Sequence, residues 1–224
     1  MHILLIRHKI VNIIYYMVKT MARTKKAKIL SKSQIKATLQ FLKTTRNAER
    51  DVVMFLLSVK SALRAKEISE ITWSMITDPE GIMVDVISMP DSASKGKGGR
   101  IIPLNKELKD ALVVLMEIST VKREQKGFDL DLASKIITSE RGSSAMSANS
   151  IAHWFKRLYG SLGFDGCSSH SGRRTAITTW ARNVSKVSGS IRDVQSLAGH
   201  SSMQITQAYI DVNVEAKQKL VDLV

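Results

Sequence analysis

From Ser31 onward the apolar positions recur at helical spacing. Ile35, Leu39, Phe41 and Leu42 form one such set behind a Ser-Lys-Ser start, and Val52, Val53, Phe55, Leu56 and Val59 form a second after Asn47. Both sets predict core helices. Between Thr72 and Leu104 the period changes: the β-branched run from Gly81 to Ile87 predicts a strand, and Arg100-Ile-Ile-Pro103 predicts another beyond a glycine-rich loop. Helical spacing returns at Leu108, Ala111, Leu112, Leu115 and Met116, at Ile151, Trp154, Phe155, Leu158 and Tyr159, and at Ala176, Ile177, Trp180 and Ala181. After Tyr209, the positions Val212, Val214, Ala216, Leu220, Val221 and Leu223 suit a short tail helix with one apolar face. The expected fold class is mainly α with a small antiparallel β-sheet.

Composition narrows the picture. A chain of 224 residues with 44% apolar content and three prolines is long enough to bury a core and argues against disorder. The formal net charge of +14 points to a polyanionic partner, because clustered lysine and arginine displace condensed counterions when they neutralise phosphates. Nucleic acid is favoured over a membrane surface. Arg23, Lys25, Lys26 and Lys28 form a basic arm able to track a DNA backbone, or else a solvated linker. The predicted layout is an N-terminal extension over residues 1–30 and a catalytic domain over 31–224 that includes the tail helix.

The single cysteine, Cys167, excludes an internal disulfide and suits a reducing intracellular compartment, the cytoplasm or nucleoid. Within the first twenty residues Arg7, His8 and Lys9 interrupt the apolar patches, so neither a membrane-spanning helix nor a signal peptide is expected. That segment reads as an added helix or as sequence upstream of a start at Met21.

The chemistry gathers in six residues. Arg64 and Glu67 stand three apart on a predicted helix, so the carboxylate can hold the guanidinium. Lys95 opens the glycine-rich loop, with Lys97 two residues on as its competitor. His170 and Arg173 are again three apart, with Ser169 or Ser171 available as a cap, and His200 follows Gly199. Tyr209 lies nine residues beyond His200, about two and a half helical turns, which would put the two on opposite faces of one continuous helix. A break at Gly199 with caps at Ser201 and Ser202 brings them together. Arginines that keep their charge, imidazoles that exchange protons and a phenol that can act as a nucleophile make a set suited to attack on a phosphodiester. Cys167, His170 and His200 lack a clear fourth ligand for a zinc site, and the glycine-lysine loop lacks the spacing of a nucleotide-binding loop. No cofactor or metal is expected.

In this order the motifs resemble those of the tyrosine recombinases, the phage integrase family. Leu63 to Glu67 matches its Leu-Arg-x-x-Glu box, His170 and Arg173 its His-x-x-Arg box, and Leu197 to His200 its Leu-x-Gly-His box, with the tyrosine following at Tyr209. The resemblance implies a DNA breaking-rejoining fold. It further implies that Arg64, Lys95, His170, Arg173 and His200 act on the scissile phosphate while Tyr209 forms a 3′-phosphotyrosine, with Glu67 in support. Lys28, Lys97, Arg100 and Arg174 join Arg23, Lys25 and Lys26 as expected contacts to double-stranded DNA.

By the same resemblance the protein works as a homo-oligomer on DNA, a tetramer, with accessory DNA-binding factors as further partners; the tail docks on a neighbour or packs in cis. The resemblance covers roughly Ser31 to Tyr209, without the core-binding domain that usually precedes the catalytic one. Ala62 stands where glycine is common, Lys66 stands beside Glu67, and Gly172 stands where leucine is usual. A site-specific recombinase is the leading function. A relaxing enzyme like a type IB topoisomerase and a non-cleaving DNA-binding protein are the alternatives.

Overall fold

The computed structural model describes residues 27–93, 99–139, 144–209 and 221–222. In chain order the elements are α1 (Lys32–Leu42), α2 (Ala48–Ser61), α3 (Ala65–Glu70), β1 (Val86–Met89), β2 (Arg100–Pro103), α4 (Lys106–Glu124), α5 (Ala148–Ser161), α6 (Ser171–Asn183), α7 (Ile191–Ala198) and α8 (Met203–Gln207). Residues Val53 to Val59 of α2 are all buried, so this helix is covered on every side. Helices α4 and α6 pack against it, and α3 packs against α5. The amphipathic α1 starts at a capping box, in which the Ser31 hydroxyl accepts from the Gln34 amide and the Gln34 side chain accepts from the Ser31 amide.

The two strands pair antiparallel, with Ile87 opposite Ile102. Both are buried, whereas the neighbouring Ile101 faces outward, as a period of two requires. The predicted second strand matches β2, but the first is displaced: the ladder runs over 86–89, not 81–87. The reason is a competing partner. Met83 bridges to Thr77 and the Val84 amide donates to the Ile76 carbonyl, so the start of the extended run folds back on the segment before it. Helix α7 was not predicted from periodicity, since eight residues supply too few apolar positions to define a period.

Leu30 is buried and its amide donates to the Thr175 hydroxyl at 2.9 Å, while the Lys28 amide donates to the Gly166 carbonyl. The end of the presumed basic arm is therefore part of the packed domain. Arg23, Lys25 and Lys26 lie outside the described residues, as do tail positions Val212, Val214, Ala216, Leu220 and Leu223; Val221 is exposed. Among the described residues no helix is long and apolar enough to cross a membrane.

Two of the three departures from the resembled pattern, Ala62 and Gly172, have a local explanation. Ala62 terminates α2 in the left-handed region, φ 54°, where a side chain costs about 1 kcal/mol. Its methyl offsets part of that by lying fully buried in a small cluster with Ala176, Ile177, Val194 and Ala198. Gly172 lies where α6 crosses α2. A Cβ there would overlap the Ser58 hydroxyl and stand 2.9 Å from the Ser58 Cβ, so no larger residue fits without moving a helix. Gly172→Ala is expected to destabilise the fold by about 1–3 kcal/mol. Thermal unfolding should register this as a melting temperature lower by roughly 3–10 °C; an unchanged melt would mean that the helices are free to separate.

Candidate active site

The left-handed turn at Ala62 redirects the chain so that Arg64 becomes the N-cap of α3. Its amide donates to Glu67 Oε2 at 2.8 Å and its guanidinium to Glu67 Oε1 at 3.0 Å. A second guanidinium reaches the same oxygen, Arg100 Nη1 at 2.9 Å. One carboxylate, 1% exposed, thus carries two cations and a backbone donor. Burial alone would raise the Glu67 pKa, but the Arg100 hydrogen bond and charge, followed by the Arg64 amide and charge, hold it below the usual carboxylate range.

Arg100 was expected on the DNA-facing surface, and the structure places it elsewhere. It begins β2 with its side chain turned inward, 9% exposed, and it packs under Gly199. A Cβ on Gly199 would lie 2.6 Å from Arg100 Nη1, and the glycine has φ 60°, so both space and backbone conformation call for glycine here. Among the described residues its Nε and Nη2 have no hydrogen-bond partner. The sequence held one hint: alternation in β2 puts Arg100 on the same face as Ile102.

Arg173 is 2% exposed in the first turn of α6. Its Nη1 donates to the Ala62 carbonyl at 2.6 Å and its Nη2 to the Ala198 carbonyl at 2.7 Å. This side chain ties the end of α2 to the end of α7, which brings the Arg64 and His200 segments together. Desolvation, then the charge of Arg64, lowers its pKa to about 10, so it remains a cation at neutral pH. His170 is the N-cap residue of the same helix, exposed at the surface, and its amide donates to the Ser168 hydroxyl, not to Ser169 or Ser171.

Helix α7 stops at Gly199, and Ser202 precedes α8, so the predicted break between His200 and Tyr209 is present. Tyr209 sits in the turn just past α8, not on the helix itself. Its ring stacks on His200 with centroids 5.3 Å apart and planes at 27°, in the same chain. His200 is held at its backbone by two bonds with Gln195 and at its ring by Thr206, whose hydroxyl lies 2.9 Å from Nδ1. Sequence reading missed both partners. Neither residue type marks a site, and only the folded turn brings them near the imidazole.

Desolvation, then Arg173 and Arg64, lowers the pKa of both histidines, that of His200 to about 4. Both imidazoles are neutral donors or acceptors in the free protein. Lys95 and Lys97 lie outside the described residues. Arg174 is half-buried, its Nε without a partner among the described residues, and Lys28 is exposed, its stem lying along Gly166. Among the described residues no three His, Cys, Asp or Glu side chains form a metal-binding group, and Cys167, His170 and His200 do not make one.

Two outcomes follow from these contacts. Because His200 has a lower pKa folded than its ordinary 6.5, the unfolded chain binds more protons between about pH 6.5 and 4, and its contribution to stability is lost as pH falls through that window. At pH 5 the loss is about 2 kcal/mol, so urea unfolding of His200→Asn should show a shallower decline from pH 6.5 to 5 than wild type. Parallel slopes would exclude a neutral buried ring. Arg100→Met should cost about 2 kcal/mol of stability yet leave the salt dependence of DNA binding unchanged, whereas a surface contact to the backbone would reduce that slope by about one.

The chain matches the model described as the phage integrase family over residues 28–216. It is 25% identical over 169 residues to tyrosine recombinase XerC of Thermodesulfovibrio yellowstonii, covering 75% of this chain and 52% of the relative. It is 24% identical over 192 residues to tyrosine recombinase XerA of Thermococcus kodakarensis, covering 86% and 61%. The chain therefore spans between about half and three-fifths of the length of these curated relatives. Among solved structures, the XerH site-specific recombinase bound to difH substrate superposes with a TM-score of 0.66 at 16% identity, over 88% of this chain and 55% of that one. With Arg64, His170, Arg173, His200 and Tyr209 all inside the matched span and most of them gathered at one place in the fold, this chain belongs to the phage integrase family.

Proposed function

We propose that this chain is the catalytic part of a site-specific DNA recombinase, which cleaves and rejoins DNA strands through a 3′-phosphotyrosine intermediate at Tyr209. The observation that carries the reading is the stacking of Tyr209 on His200 beside the guanidinium cluster, all within one chain. Arg64, Arg100 and Arg173 bring three positive charges around a single carboxylate, so the pocket lacks negative charge that a phosphodiester would supply.

In this reading Arg64 and Arg173 bind the nonbridging oxygens and stabilise the charge that grows on them as phosphorus becomes five-coordinate. The Tyr209 oxygen attacks phosphorus, its proton passing to His170, which is neutral and can accept it. The bond to the 5′-oxygen breaks, and that oxygen takes a proton from Lys95, leaving a free 5′-hydroxyl and a 3′-phosphotyrosine. Attack by a 5′-hydroxyl reverses the steps and reseals the strand. His200 donates a hydrogen bond to the phosphate throughout. No step calls on a metal ion, because fixed guanidiniums perform the charge neutralisation that a metal supplies in many nucleases.

Arg174 and the exposed Lys28 are assigned to the DNA backbone. Strand exchange requires cleavage of several strands in one complex, so the working form is a homo-oligomer on double-stranded DNA, a tetramer, joined where needed by accessory DNA-binding factors. Trapping tests the assignment. On a duplex nicked so that the cleaved strand's 5′ end diffuses away, wild type should accumulate a covalent protein–DNA adduct, and Tyr209→Phe should form none while still binding the duplex. An adduct formed by the phenylalanine variant overturns the assignment, and exchange between two duplexes separates recombination from simple relaxation.

A further inference from the structure

Thr206 is fully buried within α8, and among the described residues its hydroxyl has one hydrogen-bond partner, His200 Nδ1 at 2.9 Å. Two other helical threonines spend their proton on the carbonyl one turn back: Thr38 donates to Gln34 and Thr175 to Ser171. Thr206 makes no such bond to Ser202, so the ring nitrogen is the acceptor within its reach. A buried O–H that donates to nothing is costly, whereas an oxygen lone pair left idle is not. The proton of this hydroxyl therefore belongs to the bond with His200.

We propose that Thr206 is a positioning residue that fixes the tautomer of His200: its hydroxyl donates to Nδ1, which must carry the lone pair, and the single ring proton sits on Nε2 as a donor for a DNA phosphate oxygen. This rests on the phosphodiester-cleaving reading of the site. The rest of the setting agrees. Two backbone bonds with Gln195 hold the residue and Tyr209 covers one ring face, which leaves the Nε2 edge without a protein partner among the described residues. The opposite tautomer would turn a lone pair toward the phosphate oxygens and could donate nothing to them.

The test compares Thr206→Val, which exchanges the hydroxyl for a methyl, with Thr206→Ser, which keeps it. Nitrogen-resolved NMR of the His200 ring in the free full-length chain, above pH 7, should show the proton on Nε2 in wild type and in the serine variant, and a mixture in the valine variant. Cleavage of the nicked duplex at saturating protein should slow roughly 10-fold or more for valine and recover with serine, at unchanged DNA affinity. A wild-type ring protonated on Nδ1 overturns the proposal, as does a valine variant that keeps the pure Nε2 form at full rate. A serine variant as slow as valine overturns it too, since the hydroxyl would then not be the active feature. If valine prevents folding, the wild-type and serine spectra still decide. Should wild type trap no adduct at all, the functional reading fails while the ring spectrum continues to judge the tautomer.

Discussion

A single carboxylate among guanidinium groups is the constraint on which this active site depends. Glu67 cannot leave, because Arg64 and Arg100 would then face each other in a buried space with nothing between them. Loss of either arginine would leave the buried carboxylate with one guanidinium in place of two. The three are therefore locked as a set, and the set joins separate stretches of chain: the start of α3, which carries Arg64 and Glu67, and the first residue of β2. Because Arg100 also supports Gly199, the lock extends to the segment that carries His200.

Arg173 works by a different principle. It meets two carbonyl oxygens at helix ends, where backbone acceptors would otherwise go unpaired, and so satisfies the C-terminal ends of α2 and α7 while drawing them together. Two of its donors are spent on the fold. Burial, and after it the neighbouring positive charge, holds the pKa of both imidazoles below the ordinary histidine value.

Much of this was legible beforehand where spacing carries information. Arg64 and Glu67 are neighbours because residues three apart share a helix face, and the break between His200 and Tyr209 followed from the impossibility of a continuous helix serving both. The helical sets behind Ser31 and Asn47 appeared where their periods placed them. What spacing could not show was long-range partnership. Arg100 looked like one more surface cation in a basic loop, and nothing nearby in the chain announces that its partner lies at Glu67. Thr206 was invisible for the same reason. The first strand was misplaced because an alternating segment can pair with any edge in reach, and its start pairs with the segment at 76–77.

The crossing of α2 and α6 carries a consequence for how such a chain can diverge. Residues 58 and 172 meet so closely that neither can grow alone, and the second of them adjoins Arg173. A lineage carrying a bulky residue at the later position must first have made room at the earlier one, or have tilted a helix and carried the arginine with it. Drift at this spot therefore proceeds by matched pairs, and a chimera that takes the two helices from different parents inherits a mismatch beside Arg173.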